Sequence, residues 1–366
     1  MYYNALLLGV ALLFSAAAVI HAETPSPTVE EKLAWYDAAC WDAEGKGWNN
    51  TSEHFTRMPK YAEETVPKPV WNLAQQSSGV SVRFKTNAPT ISVRHKVGGS
   101  LTMPHMTTVG SSGLDLYARD DSGVWRWAGI TKPDKQEYEQ VMLNNAPAQL
   151  REYRIYLPLY NTTKALSIGV PKESQFEALP PPAEKPVFWY GTSILHGCSA
   201  SRPGVTISAM VGRRLDVPVI NFGFSGNGRM ELEMATLIAE VDASVFILDC
   251  MPNMTLAHVQ ENTEPFIREL RRGRPNTPII MVETPHYPYA WIQPQWEANR
   301  KNKCKAYRET FEKLQREGMT GLTYVYGDEL YGTDGEGTVD GSHPTDLGIF
   351  RNATIMEPIV RQVLKK

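Results

Sequence analysis

The spacing of short apolar runs changes near residue 180, and this change constrains the fold more than any other feature of the sequence. Between about residues 70 and 170, apolar and polar side chains alternate in the short segments 80–84, 91–94, 114–117, 124–127 and 153–157. Asn, Gly, Asp and Pro residues separate these segments, as they separate strands in antiparallel sheets. The pattern predicts an all-β sandwich or jelly-roll domain.

Beyond a proline-rich stretch at 179–182, which we interpret as a linker, strand-like and helix-like runs alternate. Strands are predicted at 187–190, 217–222, 245–249, 279–283 and 322–326. Helices are predicted between them at 207–215, 230–240, 258–272 and 299–317. This order is typical of a three-layer α/β fold with a doubly wound parallel sheet. We therefore predict two domains, at 23–182 and 183–366.

Residues 1–22 have the pattern of a signal peptide. Residues 5–20 are almost wholly apolar, a length that suits a signal-peptide core and is short for a membrane span. Ala22 is a small residue suited to the cleavage position, and no second apolar run of spanning length follows. We expect an exported protein, periplasmic or secreted, with no membrane span in the mature chain.

The charge balance and the cysteines limit the classes of partner. The chain has 37 basic and 40 acidic residues, a net charge of −3, which argues against nucleic-acid binding. Its four cysteines lack the spacing of a metal site, so we predict neither a metal nor a cofactor. Cys198 and Cys250 follow two predicted strands, and the sequence leaves open whether they form a disulfide or remain two buried thiols.

Polar residues suited to acyl transfer follow three successive strands of the predicted parallel sheet. Ser193 follows the first strand, a glycine-rich run containing Gly226 follows the second, and Asn253 follows the third. In α/β folds these positions meet at the carboxyl edge of the sheet. Near the end of the chain, Asp340 and His343 supply a carboxylate and a base, which a serine needs to become a nucleophile.

The ordered set resembles the SGNH/GDSL hydrolase family, over essentially the whole second half of the chain. Ser193 matches the nucleophile block, and Asp340 and His343 match the final Asp-x-x-His block. Gly226 and Asn253 match the glycine and asparagine blocks. The resemblance implies a Ser-His-Asp triad and an oxyanion hole formed by the backbone N–H groups of Ser193 and Gly226 and by the Asn253 side chain.

Two departures from the family pattern stand out. Thr192 replaces the usual Asp before the nucleophile, and Met251 and Met254 flank Asn253. The motif wording is similar to that of a subgroup of exported bacterial SGNH proteins, which resemble carbohydrate esterases with an N-terminal β-sandwich.

The predicted reaction is the removal of acyl groups, with acetyl as the first choice, from an oligo- or polysaccharide. Tyr287 and Trp291 lie on an aromatic, proline-rich loop and either stack on sugar rings or pack on the domain. Arg202 either contacts a polar leaving group or pairs with a carboxylate. The alternatives are an esterase for longer-chain or aromatic esters and a non-catalytic glycan-binding protein. The sequence leaves the oligomeric state open.

Overall fold

The computed structural model describes residues 23–366, so the predicted signal peptide lies outside the described residues. Three five-stranded sheets organise this part of the chain. Among the helices of residues 23–366, none has both the length and the apolar character needed to cross a membrane.

Ten strands lie between residues 23 and 180. They are β1 (Thr28–Glu30), β2 (Leu33–Asp37), β3 (Ser81–Thr86), β4 (Ile91–Val97), β5 (Asp115–Arg119), β6 (Trp125–Ile130), β7 (Glu137–Leu143), β8 (Arg151–Tyr156), β9 (Thr163–Pro171) and β10 (Phe176–Leu179). Two short helices accompany them, α1 (Lys68–Ala74) and α2 (Thr108–Ser112).

These strands form two antiparallel sheets, in the orders β1-β2-β9-β4-β7 and β10-β3-β8-β5-β6. Their inward faces share one apolar core, because alternate side chains of a strand point to the same face. In β3, Val82 and Phe84 are fully buried, and the Phe84 ring stacks on those of Tyr153 and Phe176 at centroid distances of 5.5 and 5.2 Å. The β-rich region expected from the alternating segments is confirmed.

The second part of the chain alternates strands and helices. Its strands are β11 (Val187–Gly191), β12 (Val219–Gly223), β13 (Val245–Asp249), β14 (Ile279–Val282) and β15 (Leu322–Val325). Its helices are α3 (Ser193–His196), α4 (Ile207–Leu215), α5 (Leu232–Ile238), α6 (Leu256–Gly273), α7 (Pro294–Arg316) and α8 (Asp346–Leu364). The strands pair in parallel in the order β12-β11-β13-β14-β15.

Helices cover both faces of this parallel sheet, which gives it three layers. In β11, Phe188 and Tyr190 pack into the core beneath α5, α6 and α7, whereas Val187 and Trp189 pack into the core beneath α4 and α8. A strand buried on both faces reads as a continuous apolar run, as this one does. The predicted doubly wound α/β fold is therefore confirmed.

The strand order also determines where the chain can carry chemistry. The order corresponds to the 2-1-3-4-5 arrangement of doubly wound folds, in which ligands bind beyond the carboxyl ends of the strands where the order reverses. Here the reversal falls between β11 and β13, directly before Ser193 and Asn253.

Candidate active site

Ser193 lies directly beyond β11, at the start of a short helix. The Thr192 side chain accepts a hydrogen bond from the backbone N–H of Ile194 at 3.3 Å and so begins α3. Ser193 is the first residue of that helix, a position whose N–H group has no partner within the helix. Thr192, the departure from the family pattern, is therefore a helix cap, and the Ser193 N–H is left for a ligand.

Ser193, His343 and Asp340 form a continuous chain of hydrogen bonds. Ser193 Oγ lies 2.8 Å from His343 Nε2, and His343 Nδ1 lies 2.7 Å from Asp340 Oδ2. The other carboxylate oxygen of Asp340 accepts hydrogen bonds from the backbone N–H groups of Ser342 and His343 at 3.0 and 2.8 Å. The loop that precedes α8 thus fixes the imidazole and its carboxylate together against the serine.

The pKa values of Asp340 and His343 are shifted in opposite directions. Burial acts to raise the pKa of Asp340, but hydrogen bonds from His343 and Ser342 hold it at about 2. A hydrogen bond with Cys198 and the bond to Asp340 raise the pKa of His343 to about 9, against the effect of burial. Asp340 is therefore ionised across the neutral range and stabilises a protonated imidazole, as an orienting carboxylate must.

A second histidine approaches the same imidazole from the β-rich region. His105 Nε2 lies 2.8 Å from Cys198 Sγ, and the rings of His105 and His343 are 5.6 Å apart. The sequence spacing predicted no metal centre, yet potential ligand atoms of His105, Cys198 and His343 all lie within 4.8 Å of one another. Sequence reasoning missed His105, because it lies in a loop with no motif around it.

Of the two alternatives left open for Cys198 and Cys250, the structure has the two free, buried thiols and not the disulfide. Cys198 faces His105 and the active-site loops. Cys250 packs in the core beneath α5, α6 and α7, where its thiol donates to the Tyr190 carbonyl at 3.6 Å. The two residues follow neighbouring strands, but only Cys250 enters that core, so the two thiols do not meet.

The glycine-rich loop after β12 packs against the turn that carries Ser193. The backbone N–H of Phe224 donates to the Gly191 carbonyl at 3.0 Å, and a Cβ on Gly228 would lie 2.2 Å from that same oxygen. Gly226 has a φ of +69°, a left-handed conformation that favours glycine, although a side chain there would meet nothing within 4 Å. Backbone conformation, not crowding, therefore calls for glycine at 226.

Asn253 joins this loop to the end of β13. Its Nδ2 donates to the Asn227 carbonyl at 2.7 Å, and because an amide nitrogen carries two N–H groups, one remains for a ligand. Met251 is buried in the core behind it, whereas Met254, although almost fully buried, also reaches the wall of the cleft beside Asn253. Ser193, Gly226 and Asn253 thus lie on three loops. The loop of Gly226 packs against the turn of Ser193, and Asn253 donates a hydrogen bond to the loop of Gly226.

A buried arginine from the β-rich region supports the glycine loop from below. Arg57 is 1% exposed and donates to the backbone carbonyls of Gly223, Leu73 and Gln76 at 2.8, 2.7 and 2.9 Å. Burial lowers its pKa to about 9. Arg57 satisfies carbonyl groups at the end of β12 that would otherwise be buried without a partner.

An aromatic cluster lies beside Asn253. The rings of Tyr287 and Tyr289 stack at 5.7 Å, and the Trp296 ring meets both edge-on at 5.9 and 5.8 Å. Tyr287 and Trp296 line a cleft of about 510 Å³ together with Asn253 and Met254. The two predicted roles of this aromatic loop are stacking on sugar rings and packing on the domain. Tyr287 packs on other rings of the loop and also lines a cleft, a position compatible with both roles.

Trp291 lies on a different cleft and is 82% exposed. That cleft has a volume of about 260 Å³ and is also lined by His286, Pro288 and Tyr331. The sequence assigns Trp291 and Tyr287 to one sugar-binding loop, but in the structure they line two different clefts.

Arg202 pairs with a carboxylate of the β-rich region, which is the second of its two predicted roles. Its Nη1 lies 2.8 Å from Asp115 Oδ2 and 2.5 Å from the Tyr117 hydroxyl. Asp115 belongs to the sequence Gly-Leu-Asp-Leu-Tyr at 113–117, which sequence reasoning treated only as a strand. An acidic residue on an otherwise apolar strand was the signal that would have identified this contact.

Both parts of the chain match known families. Residues 184–361 match the GDSL-like Lipase/Acylhydrolase family, and residues 33–176 match the family described as the N-terminus of SGNH-hydrolase-type esterases. The second family is named for a Gly-x-Asp-Leu-Tyr motif, which corresponds to residues 113–117 of this chain. Among curated proteins, none matches the chain.

Solved structures resemble the chain over most of its length. A protein from Bacteroides ovatus described as a GDSL-like lipase is 35% identical, with a TM-score of 0.87 over 91% of this chain and 98% of that one. The salicylyl-acyltransferase SsfX3 from a tetracycline biosynthetic pathway is 18% identical, with a TM-score of 0.68 over 94% and 95% of the two chains.

A family two carbohydrate esterase from Clostridium thermocellum, solved in complex with cellohexaose, is 14% identical. Its TM-score is 0.57 over 79% of this chain and 93% of that one. At 18% and 14% identity these likenesses are ones of fold.

Proposed function

Because the chain belongs to the SGNH/GDSL hydrolases, within the GDSL-like lipase/acylhydrolase family, we propose that it is a serine esterase that removes acetyl groups from an oligo- or polysaccharide. The observation that carries the esterase assignment is the hydrogen-bond chain from Ser193 through His343 to Asp340. Its three side chains come from two loops 150 residues apart, at the edge of the sheet where such folds bind ligands.

The first half of the reaction forms an acyl-enzyme. His343 Nε2 takes the hydroxyl proton of Ser193 as Oγ attacks the ester carbonyl carbon, and Asp340 stabilises the resulting imidazolium. Negative charge develops on the carbonyl oxygen, where the N–H groups of Ser193 and Gly226 and the Asn253 amide donate hydrogen bonds to it. The tetrahedral intermediate then expels the sugar oxygen, which takes the proton from His343 Nε2 and leaves as a hydroxyl group.

The second half of the reaction repeats the same steps with water. His343 Nε2 takes a proton from water, whose oxygen attacks the acyl carbon bound to Ser193. The same three donors stabilise the second tetrahedral intermediate. Its collapse releases acetate and returns the proton to Ser193 Oγ, so the enzyme is regenerated without a cofactor.

The aromatic cleft beside Asn253 supports a carbohydrate substrate. Tyr287 and Trp296 offer ring surfaces at the edge of the proposed oxyanion hole, and Asn299, Arg300 and Asn302 supply polar groups along the same cleft. Aromatic faces bordered by a few polar groups suit a ring-shaped, hydroxyl-rich ligand. We place the sugar ring in this cleft.

Export and domain organisation complete the proposal. Removal of residues 1–22 would leave a mature chain that reaches polysaccharide outside the cell. We assign residues 23–182 to a β-sandwich domain and residues 183–366 to the catalytic domain. This division is supported by the separate family matches at 33–176 and 184–361.

The experiment that tests this function measures acetate released from a panel of acetylated polysaccharides by the wild type and by Ser193→Ala. The matched control is Ser201→Ala, since the Ser201 hydroxyl bonds to Asp346 and not to a histidine. We expect release by the wild type and by the control, and none by Ser193→Ala.

Other outcomes would favour the alternative functions. Cleavage of nitrophenyl acetate without acetate release from any polysaccharide would keep the esterase and remove the carbohydrate substrate. A preference for long-chain or aromatic nitrophenyl esters would favour the alternative acyl groups. Loss of both activities, with no labelling of Ser193 by a fluorophosphonate probe, would favour a glycan-binding protein.

A further inference from the structure

Three side chains with soft or imidazole donor atoms converge beside the proposed nucleophile. His105 comes from the loop between β4 and α2, Cys198 from the turn after α3, and His343 from the loop before α8. One ligand atom of each lies within 4.8 Å of the others, and His105 Nε2 is already 2.8 Å from Cys198 Sγ. The proposed hydrolysis uses His343 but neither of the other two.

This geometry is close to that of a metal site. In a tetrahedral zinc site, bond lengths of about 2.0–2.3 Å separate neighbouring nitrogen and sulfur ligands by about 3.3–3.6 Å. Shifts on the order of 1 Å would bring the three atoms to that spacing, and His105 is exposed, so its side chain is free to adjust. A site of one thiolate and two imidazoles selects a soft or borderline transition metal and not Ca²⁺ or Mg²⁺, which prefer oxygen ligands.

The hydrogen bonds around His343 also suit a metal ligand. Its Nδ1 is 2.7 Å from Asp340 Oδ2, which leaves Nε2, 2.8 Å from Ser193 Oγ, as the ring nitrogen available to a metal. Zinc-binding histidines commonly donate their second nitrogen to a carboxylate in this way, which orients the ring and increases its basicity. The hydrogen bonds that prepare His343 to act as a base therefore also prepare it to bind a metal.

We propose that His105, Cys198 and His343 form a binding site for Zn²⁺ or a similar transition-metal ion, and that the bound ion inhibits the esterase. The ion accepts lone pairs from His105 Nε2, Cys198 Sγ and His343 Nε2, the thiol proton and the Nε2 proton of a protonated His343 pass to solvent, and water takes a fourth position. While the metal holds the Nε2 lone pair, His343 cannot take the proton of Ser193. The inhibition rests on the proposed function, whereas the binding does not.

The first test measures Zn²⁺ binding by equilibrium dialysis of the chelator-treated protein. The variants are Cys198→Ser and His105→Ala, and the matched control is Cys40→Ser, which changes a free cysteine at the exposed surface. We expect one ion per wild-type chain and a loss of affinity of at least about 100-fold in each ligand variant, because removing even a hydrogen-bond partner of a metal ligand costs about 10–100-fold. The control is expected to bind as the wild type does.

Cobalt provides a readout that is independent of activity. Co²⁺ bound by a thiolate gives a sulfur-to-metal charge-transfer band, which we expect in the wild type, in His105→Ala at higher metal concentration, and not in Cys198→Ser. Inhibition of nitrophenyl acetate cleavage is measured against each variant's own metal-free rate. It is expected to follow occupancy in the wild type and to be reduced at the same zinc concentration in both ligand variants.

Equal zinc affinity in the wild type and both ligand variants would overturn the site, as would loss of binding in Cys40→Ser. Binding that follows His105 and Cys198 but leaves the rate unchanged would overturn His343 as the third ligand. If the chain cleaves no ester at all, the dialysis and cobalt measurements still decide whether the metal site exists. The two variants change residues in different segments, so a folding defect in one leaves the other as the test.

Discussion

Arg202 Nη1 lies 2.8 Å from Oδ2 of Asp115, a carboxylate whose side chain is fully buried. The same oxygen accepts a hydrogen bond from the backbone N–H of Gly204 at 2.8 Å, and Oδ1 accepts one from Trp127 Nε1 at 3.0 Å. Asp115 lies on β5 of the β-rich region, whereas Arg202 and Gly204 lie in the segment after α3. The loop that follows the nucleophile is thus held in place by the β-rich region.

Replacing Arg202 should destabilise the protein more than it affects substrate binding. Arg202→Ala leaves the buried Asp115 carboxylate without its cation, and breaking a buried pair in this way costs about 3–5 kcal/mol. We expect a clear fall in the urea midpoint and little change in KM among the molecules that remain folded. The double variant Arg202→Met, Asp115→Asn should recover part of the loss. A raised KM with unchanged stability would return Arg202 to the role of substrate contact.

Asp340→Asn tests whether the carboxylate orients His343. The neutral amide cannot stabilise the imidazolium, and its Nδ2 can donate to Nδ1 and favour the wrong tautomer, so kcat should fall by about 10³–10⁴-fold with little change in KM. Steady-state kinetics with nitrophenyl acetate provide the measurement. Asp334→Asn is the matched control, because Asp334 pairs with Arg351 instead of a histidine. A loss no larger than that of the control would remove Asp340 from the catalytic chain.

Strand positions could be predicted from the sequence where apolar and polar residues alternate or where a strand is one unbroken apolar run. The predicted strand at 187–190 corresponds to β11 and that at 245–249 coincides with β13, because strands buried on both faces leave long apolar runs. β7 was missed because only Tyr138 and Met142 are buried within an otherwise polar segment. An edge strand such as β7, with only two buried side chains, has too few apolar residues to be recognised from the sequence.

The residues of the candidate site could be predicted from their order along the chain. The residue that approaches them from the β-rich region, His105, could not. Ser193, Asn253, Asp340 and His343 follow strands or precede a helix, and strand order alone brings such positions together. His105 reaches Cys198 only because the β-rich region packs on the segment after α3. That contact joins residues 93 apart and depends on the packing of two sheets on a third, for which a single sequence carries no periodic signal.

The activity of the metal-free enzyme should rise with pH through the alkaline range. His343 must be neutral to accept the proton of Ser193, and its pKa is raised to about 9. In the presence of a chelator, kcat/KM should increase about tenfold per pH unit below that value and level off above it. Cys198→Ala removes the hydrogen bond that contributes most to the shift, so the midpoint should move toward neutrality. A wild-type midpoint near 6.5 would contradict the prediction.

The raised pKa of His343 should make the stability of the fold decrease with pH over the range in which activity increases. A histidine whose pKa is higher in the folded state than its usual 6.5 stabilises the fold fully below 6.5, and this contribution is lost as the pH rises through about 9. Urea unfolding of the wild type should therefore show declining stability between these values. In His343→Gln, which cannot titrate there, the decline should be smaller; an identical decline would assign the effect to other groups.

Asn253→Ala tests the amide as an oxyanion donor. Removal of one such donor typically lowers kcat by about 10²–10³-fold. Asn262→Ala is the matched control, because Asn262 Nδ2 also donates to a loop carbonyl, that of Arg229 at 2.9 Å, but from the exposed face of α6. Comparison of kcat and of thermal stability separates the two effects. If both variants lose activity only in proportion to stability, Asn253 holds the loop and does not stabilise charge.

The two aromatic clefts make different predictions for a polymeric substrate. Trp296 lines the cleft beside Asn253, so Trp296→Ala should raise KM for an acetylated oligosaccharide by about 2- to 12-fold, which corresponds to one aromatic contact of about 0.5–1.5 kcal/mol. KM for nitrophenyl acetate should be nearly unchanged, because that ester is too short to extend along the cleft. Trp291→Ala, on the other cleft, should leave both values close to those of the wild type. The reverse result, with Trp291 controlling the oligosaccharide KM, would place the sugar against Pro288 and Tyr331.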